Sequence, residues 1–96
     1  MSGWTSEASL PAPVVHGEVL EPARVVAFLR RRCAELTGYP EAEFSDDASL
    51  IERGVDSLAA MRLAWDLQRA FGRTVPAYDL LDSDNLRALA ARVVHA

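Results

Sequence analysis

The chain of 96 residues contains no lysine: all ten of its basic side chains are arginine, and fourteen carboxylates leave it at a formal −4. An acidic balance disfavours nucleic-acid binding, which needs a basic patch to meet phosphates. The one basic cluster, Arg30-Arg31-Arg32, reads more simply as the solvated face of a helix. A single cysteine excludes an internal disulfide, and Cys33 lies on the apolar side of a helical pattern, so it reads as a small core residue in a reducing compartment. No apolar run is long enough to span a bilayer, and the N-terminus lacks the basic and apolar regions of a secretion signal. A cytoplasmic chain with no membrane partner is the expectation. Two histidines stand near the ends, His16 and His95, with no partner at ligand or triad spacing, and Gly-x-Ser-x-Gly is missing. Neither a metal site nor a self-activated serine nucleophile is therefore expected. With half its residues hydrophobic, the chain holds one modest core and has no room for a separate substrate domain. Sixteen alanines beside the missing lysine suggest a GC-rich, bacterial genome, a matter of codons rather than of physics.

What is present centres on Gly54-Val55-Asp56-Ser57-Leu58, which runs straight into an apolar-periodic stretch ending at Phe71-Gly72. A capping aspartate before the run and a glycine after it are the two end signals of a helix. Ser57 falls at the helix mouth, where unpaired N–H groups and the positive end of the macrodipole favour an anion such as a phosphate. The helix carries two stripes. Ala60, Leu63, Ala64, Leu67 and Phe71 form a core face, and Ser57, Met61 and Trp65 share a neighbouring face flanked by Leu58. That second face is either packed as core or bound by something, and the pattern leaves both open for Trp65.

On either side the chain reads as helices joined by one long connection. Residues 1–20 show no sustained period and read as a flexible leader or linker, with Trp4 a lone aromatic in it. Glu21-Pro22 opens a first helix closed by Gly38, with Val26, Leu29, Cys33 and Leu36 facing inward, Val25 and Phe28 widening the stripe, and Arg24, Arg30, Arg31 and Glu35 facing water. Residues 39–56 form a long loop, pinned by Phe44, Leu50 and Ile51. Between Glu41 and Asp56 it holds six acids and one base, a local balance of −5 against +1 elsewhere, which suggests basic partners approaching this loop. A short helical turn through Tyr78, Leu80 and Leu81 follows, and Ser83-Asp84-Asn85 caps a last helix bearing Leu86, Leu89, Ala90 and Val93. The sum is an all-α four-helix bundle with three long helices, one short helix and a long first loop, the domain spanning residues 21–96.

Gly54-Val55-Asp56-Ser57-Leu58 resembles the G-x-D-S-L signature of acyl carrier proteins, and the resemblance extends over roughly Pro22 to Val94. It implies a non-catalytic carrier domain whose Ser57 is esterified with 4′-phosphopantetheine by a phosphopantetheinyl transferase, with Gly54 permitting the tight approach and Asp56 capping the helix or touching the transferase. The arm's thiol would hold an acyl group as a thioester. Leu58, Met61, Trp65 and Arg62 stand where carriers of this family touch partner enzymes such as ketosynthases, acyltransferases and other loading or tailoring enzymes, and an isolated domain would be monomeric. The aspartate before the serine resembles fatty-acid and polyketide carriers more than peptidyl ones. The helix holds Arg62, Asp66 and Arg69 and so lacks the strongly acidic face expected of free-standing fatty-acid carriers, which favours a polyketide-synthase carrier. The alternatives are a peptidyl, aminoacyl or aryl carrier of a nonribosomal or hybrid pathway, and, outside carriers, a small helical interaction module.

Overall fold

Pro22 opens helix α1 (Pro22–Thr37) and Gly38 closes it, its N–H donating to the Ala34 carbonyl. Three more helices follow in the computed structural model, which describes residues 20–96: α2 (Ser57–Phe71), α3 (Ala77–Asp82) and α4 (Leu86–Val94). A 3₁₀ turn, Glu41–Glu43, is the one other helical piece, and no strand occurs among the described residues. The all-α bundle of three longer helices, one short helix and a long first loop expected from periodicity is the fold observed. Trp4 and His16 lie outside the described residues. Leu20 packs against the core.

α1 packs most extensively along α4, and α2 along α3 and then α1. Between them Leu29, Leu63, Leu67, Leu80, Leu86 and Leu89 are fully buried, and two loop residues, Phe44 and Leu50, complete the interior. Each such side chain removed from water contributes about 1.5–3 kcal/mol, so the loop is held by the same force as the helices. Arg73 ties the α2–α3 connection to the end of α4 by donating to the Val94 carbonyl at 2.7 Å.

Three expectations are corrected. The inward stripe of α1 is turned by one residue: Val25 is fully buried, whereas Val26, Phe28 and Leu36 pack at its margin. Phe28 meets Phe71 edge-on at 5.2 Å between ring centres, a T-shaped contact at the margin of the core. Ile51 does not enter the core and is 59 % exposed. Residues 50–54 form a tight turn in which Val55 N–H donates to the Leu50 carbonyl at 2.9 Å and Gly54 N–H to that of Ile51 at 3.1 Å. With Leu50 taking the inward position of that turn, its neighbour projects outward.

The third correction concerns the arginine triplet, of which only Arg31 is exposed. Arg30 donates from Nε to the Phe44 carbonyl at 2.7 Å and from Nη2 to Asp46 at 2.5 Å. Arg32 reaches Asp66 on α2. Long arginine stems lie along apolar surface and deliver the charge to a partner at its edge, so two of the three clamp the fold instead of facing solvent.

Candidate functional site

The connection from α1 to α2 delivers Ser57, and its acids are largely consumed in holding it in place. Asp46 pairs with Arg30 of α1, Asp47 with Arg87 of α4 at 2.5 Å, and Glu43 with Arg53 at 3.7 Å. The −5 counted along the loop is therefore not a free negative field, because Arg30 and Arg87 enter from outside the segment. Glu41 and Glu52 remain exposed and Asp56 is engaged as a cap.

Gly54 turns the chain at φ +94°, a backbone conformation that side-chain-bearing residues adopt only with strain. Space is not the restriction: a Cβ there would meet Tyr39 Cε2 at 3.6 Å, an ordinary contact. Val55 is buried immediately after, so the turn is anchored at the residue that precedes the helix cap.

Asp56 is extended at φ −98°, ψ −173°, and its Oδ1 accepts from the Ala59 N–H at 2.9 Å while its carbonyl accepts from the Ala60 N–H at 2.9 Å. This is an N-cap, with the carboxylate at the positive end of the helix dipole. Ser57 is the first residue of α2 and is exposed. The helix end thus presents a hydroxyl to solvent, with one of its free N–H groups already met by the chain's own carboxylate.

Exposed apolar side chains follow Ser57 along the helix. Leu58 is 70 %, Met61 60 % and Trp65 64 % exposed, and they follow each other at three- and four-residue steps along one side of α2. Trp65 is therefore not core, the question its spacing left open. Ile51 lies beside the same helix start in sequence and adds an exposed apolar residue that periodicity assigned to the interior. Among the described residues, a shallow groove on α2 is lined by Arg62, Trp65, Asp66 and Arg69. Arg62 and Arg69 are exposed.

His95 caps the far end of α4, and the remaining candidate nucleophile, Cys33, is fully buried, with burial pushing its thiol up to about 12. A thiol so held stays protonated and inert near neutrality. Among the described residues no group of three or more His, Cys, Asp or Glu could hold a metal ion, and no helix is long and apolar enough to cross a membrane.

Sequence reasoning located Gly54, Asp56, Ser57, Leu58, Met61, Arg62 and Trp65, and the fold brings Ser57 and the apolar residues onto one side of α2. It missed Arg32, whose hydrogen bonds to Asp66 first and to Glu35 second hold its guanidinium further above its ordinary value. The two partners are 34 positions apart, and no local pattern in the sequence joins them. In the sequence Arg69 is legible only as a departure from an acidic face.

Comparison with known proteins follows the same residues. The family described as "Phosphopantetheine attachment site" matches residues 27–93. The chain is 41 % identical over 49 residues to the non-reducing polyketide synthase dbaI of Emericella nidulans, covering 51 % of the chain and 2 % of that protein. It is 36 % identical over 61 residues to the citrinin polyketide synthase of Monascus ruber, covering 64 % of the chain and 2 % of the synthase. It is 37 % identical over 60 residues to the nonribosomal peptide synthetase ataP of Aspergillus terreus, covering 62 % of the chain and 4 % of the synthetase. The chain thus spans a few hundredths of the length of these relatives. They are fungal and lend no support to the bacterial source that residue usage suggests.

Proposed function

Because the chain belongs to the phosphopantetheine attachment site family, whose members are non-catalytic carrier domains, we propose that Ser57 takes the 4′-phosphopantetheine arm in a polyketide-synthase or related secondary-metabolite pathway. The observation that carries this reading is the exposed Ser57 on the first turn of α2, immediately after the Asp56 cap. The residues fit the group: the hydroxyl is open to a modifying enzyme, Leu58, Met61 and Trp65 along the same helix are apolar and accessible, and the only cysteine is buried where no cargo could reach it. When bound, the arm supplies a terminal thiol that holds the cargo as a thioester.

The chain's own residues contribute presentation rather than chemistry. Gly54 sets the turn, Val55 anchors it, and Asp56 holds the first turn of α2 so that Ser57 meets a partner in a constant position. Only one Asp56 oxygen is used in the cap, which leaves the other as an acceptor for a basic group of a phosphopantetheinyl transferase. Leu58, Met61, Trp65 and Arg62 form the face on which ketosynthase, acyltransferase or other loading and tailoring domains dock. Tethering keeps one intermediate at high effective concentration for successive partners. The carrier unit is read as residues 21–96, in a cytoplasmic setting in keeping with a single free cysteine.

A nonribosomal or hybrid carrier of an amino or aryl acid is the second reading, favoured by the likeness to ataP. Intact mass after incubation with coenzyme A and a broad-specificity phosphopantetheinyl transferase tests the site: one arm added to the native chain and none to Ser57→Ala is expected. An unmodified native chain, or a Ser57→Ala chain that still gains mass, overturns it. Loading the modified chain from malonyl-coenzyme A with its neighbouring acyltransferase, or from an amino acid with a neighbouring adenylating enzyme, separates the two pathways.

A further inference from the structure

We propose that the face of α2 beyond its first turn docks on a catalytic domain whose apolar cleft is rimmed by carboxylates, with Arg62 and Arg69 reading that rim. The inference rests on the carrier reading above and adds the chemistry of the partner.

The arginines themselves carry the argument. Eight of the ten meet a partner among the described residues: five hold carboxylates, Arg73 holds a backbone carbonyl, and Arg24 and Arg31 lie 6.0 and 5.9 Å from the centres of phenylalanine rings. Arg62 and Arg69 are the two that meet no carboxylate, carbonyl or ring among the described residues, and they share a groove with Trp65. They sit three residues before and four residues after the indole, the spacings that make neighbours on a helix surface. The groove's one acid does not neutralise them. Asp66 is drawn to Arg32, whose Nε and Nη2 both donate to its Oδ2 at 2.9 and 2.7 Å. Two free cations about 10 Å apart along the axis therefore flank a 64 % exposed tryptophan.

An exposed tryptophan with adjoining arginines has the make-up of a binding hot spot. Apolar burial would supply the affinity, and the charges would set orientation and partner choice. The Ser57 end of the same helix carries Asp56, so the face is polarised: acidic where the hydroxyl is presented and basic from about 7 to about 18 Å along the axis. A partner matching it is basic at its active-site entrance and acidic farther out.

The test is the affinity of the chain for the ketosynthase domain encoded alongside it, measured with and without the arm, across salt from about 50 to about 500 mM. Arg62→Glu/Arg69→Glu is expected to weaken binding at least tenfold and to reverse its salt dependence, because salt then screens a repulsion, with Arg62→Gln/Arg69→Gln weakening it less and flattening that dependence. Circular dichroism checks the fold of each, and the glutamine pair decides if the glutamate pair unfolds. Native-like affinity and salt dependence in the charge variants overturn the inference. So does concentration-dependent dimerisation of the native chain that the variants lose, which gives the face to a second copy. Because affinity is read without the arm, failure of Ser57 to accept it counts against the carrier reading alone.

Discussion

Arg32 of α1 donates twice to a single oxygen of Asp66 on α2, at 2.9 and 2.7 Å, with both side chains less than a quarter exposed. The pair joins two helices that are far apart in sequence and turns the one acid of the Trp65 groove inward. Removing one partner leaves a half-desolvated charge, which costs more than the pair contributes when intact. Arg32→Met is expected to lower stability by about 1–2 kcal/mol, discounted from the fully buried case for partial exposure. In urea denaturation, Arg32→Met/Asp66→Leu should recover part of that loss. Single effects that simply add would show that the two side chains are not coupled.

Asp56 is expected to act first as a cap. Asp56→Ala should cost about 1 kcal/mol of stability, and Asp56→Asn, which keeps an acceptor for the Ala59 N–H, much less. Pantetheinylation separates the roles: a rate restored by Asn assigns Asp56 to positioning the helix start, and a rate lost with Asn assigns its charge to the transferase.

Cys33 is expected to be silent in the native chain. Its thiol is raised from 9.0 to about 12 by burial, so the unfolded chain releases this proton at lower pH than the native one. This contribution of Cys33 is therefore fully present below about pH 9 and is lost as pH climbs toward 12, with a slope of at most about 1.4 kcal/mol per pH unit. Chemical denaturation across that range should show a decline that Cys33→Ala lacks. At neutral pH a thiol reagent should find no reactive group before the arm is added and one afterwards.

Trp65→Ala and Ile51→Ser should leave thermal stability within about 0.5 kcal/mol of the native chain, because both side chains are more than half exposed. A loss of several kcal/mol in either would mean that the residue packs as core in solution.

The sequence made the helices legible because their end signals are local. Pro22, Gly38, Asp56, Gly72 and Asn85 each act on backbone groups within one turn, and their chemistry can be read from neighbours alone. The Ser57 site was legible for the same reason, being a short run at a helix mouth. Rotation of α1 about its axis was not, since Val25 and Val26 are equally apolar and the choice falls to packing against α4 and α2. Ile51 was misplaced because a pinned loop has no period: Leu50 and Ile51 look alike until the turn sends one in and one out.

The order of residues alone therefore settled the helices, their caps and the presentation of one serine, all products of interactions a few positions long. Packing settled which charges stay free. Ten arginines look equivalent along the chain, and among the described residues ion pairs hold five of them, a backbone carbonyl one and aromatic rings two, which leaves Arg62 and Arg69 beside an open indole. Such pairing depends on separations in space that arise only once the helices have been brought together by burial of their apolar faces.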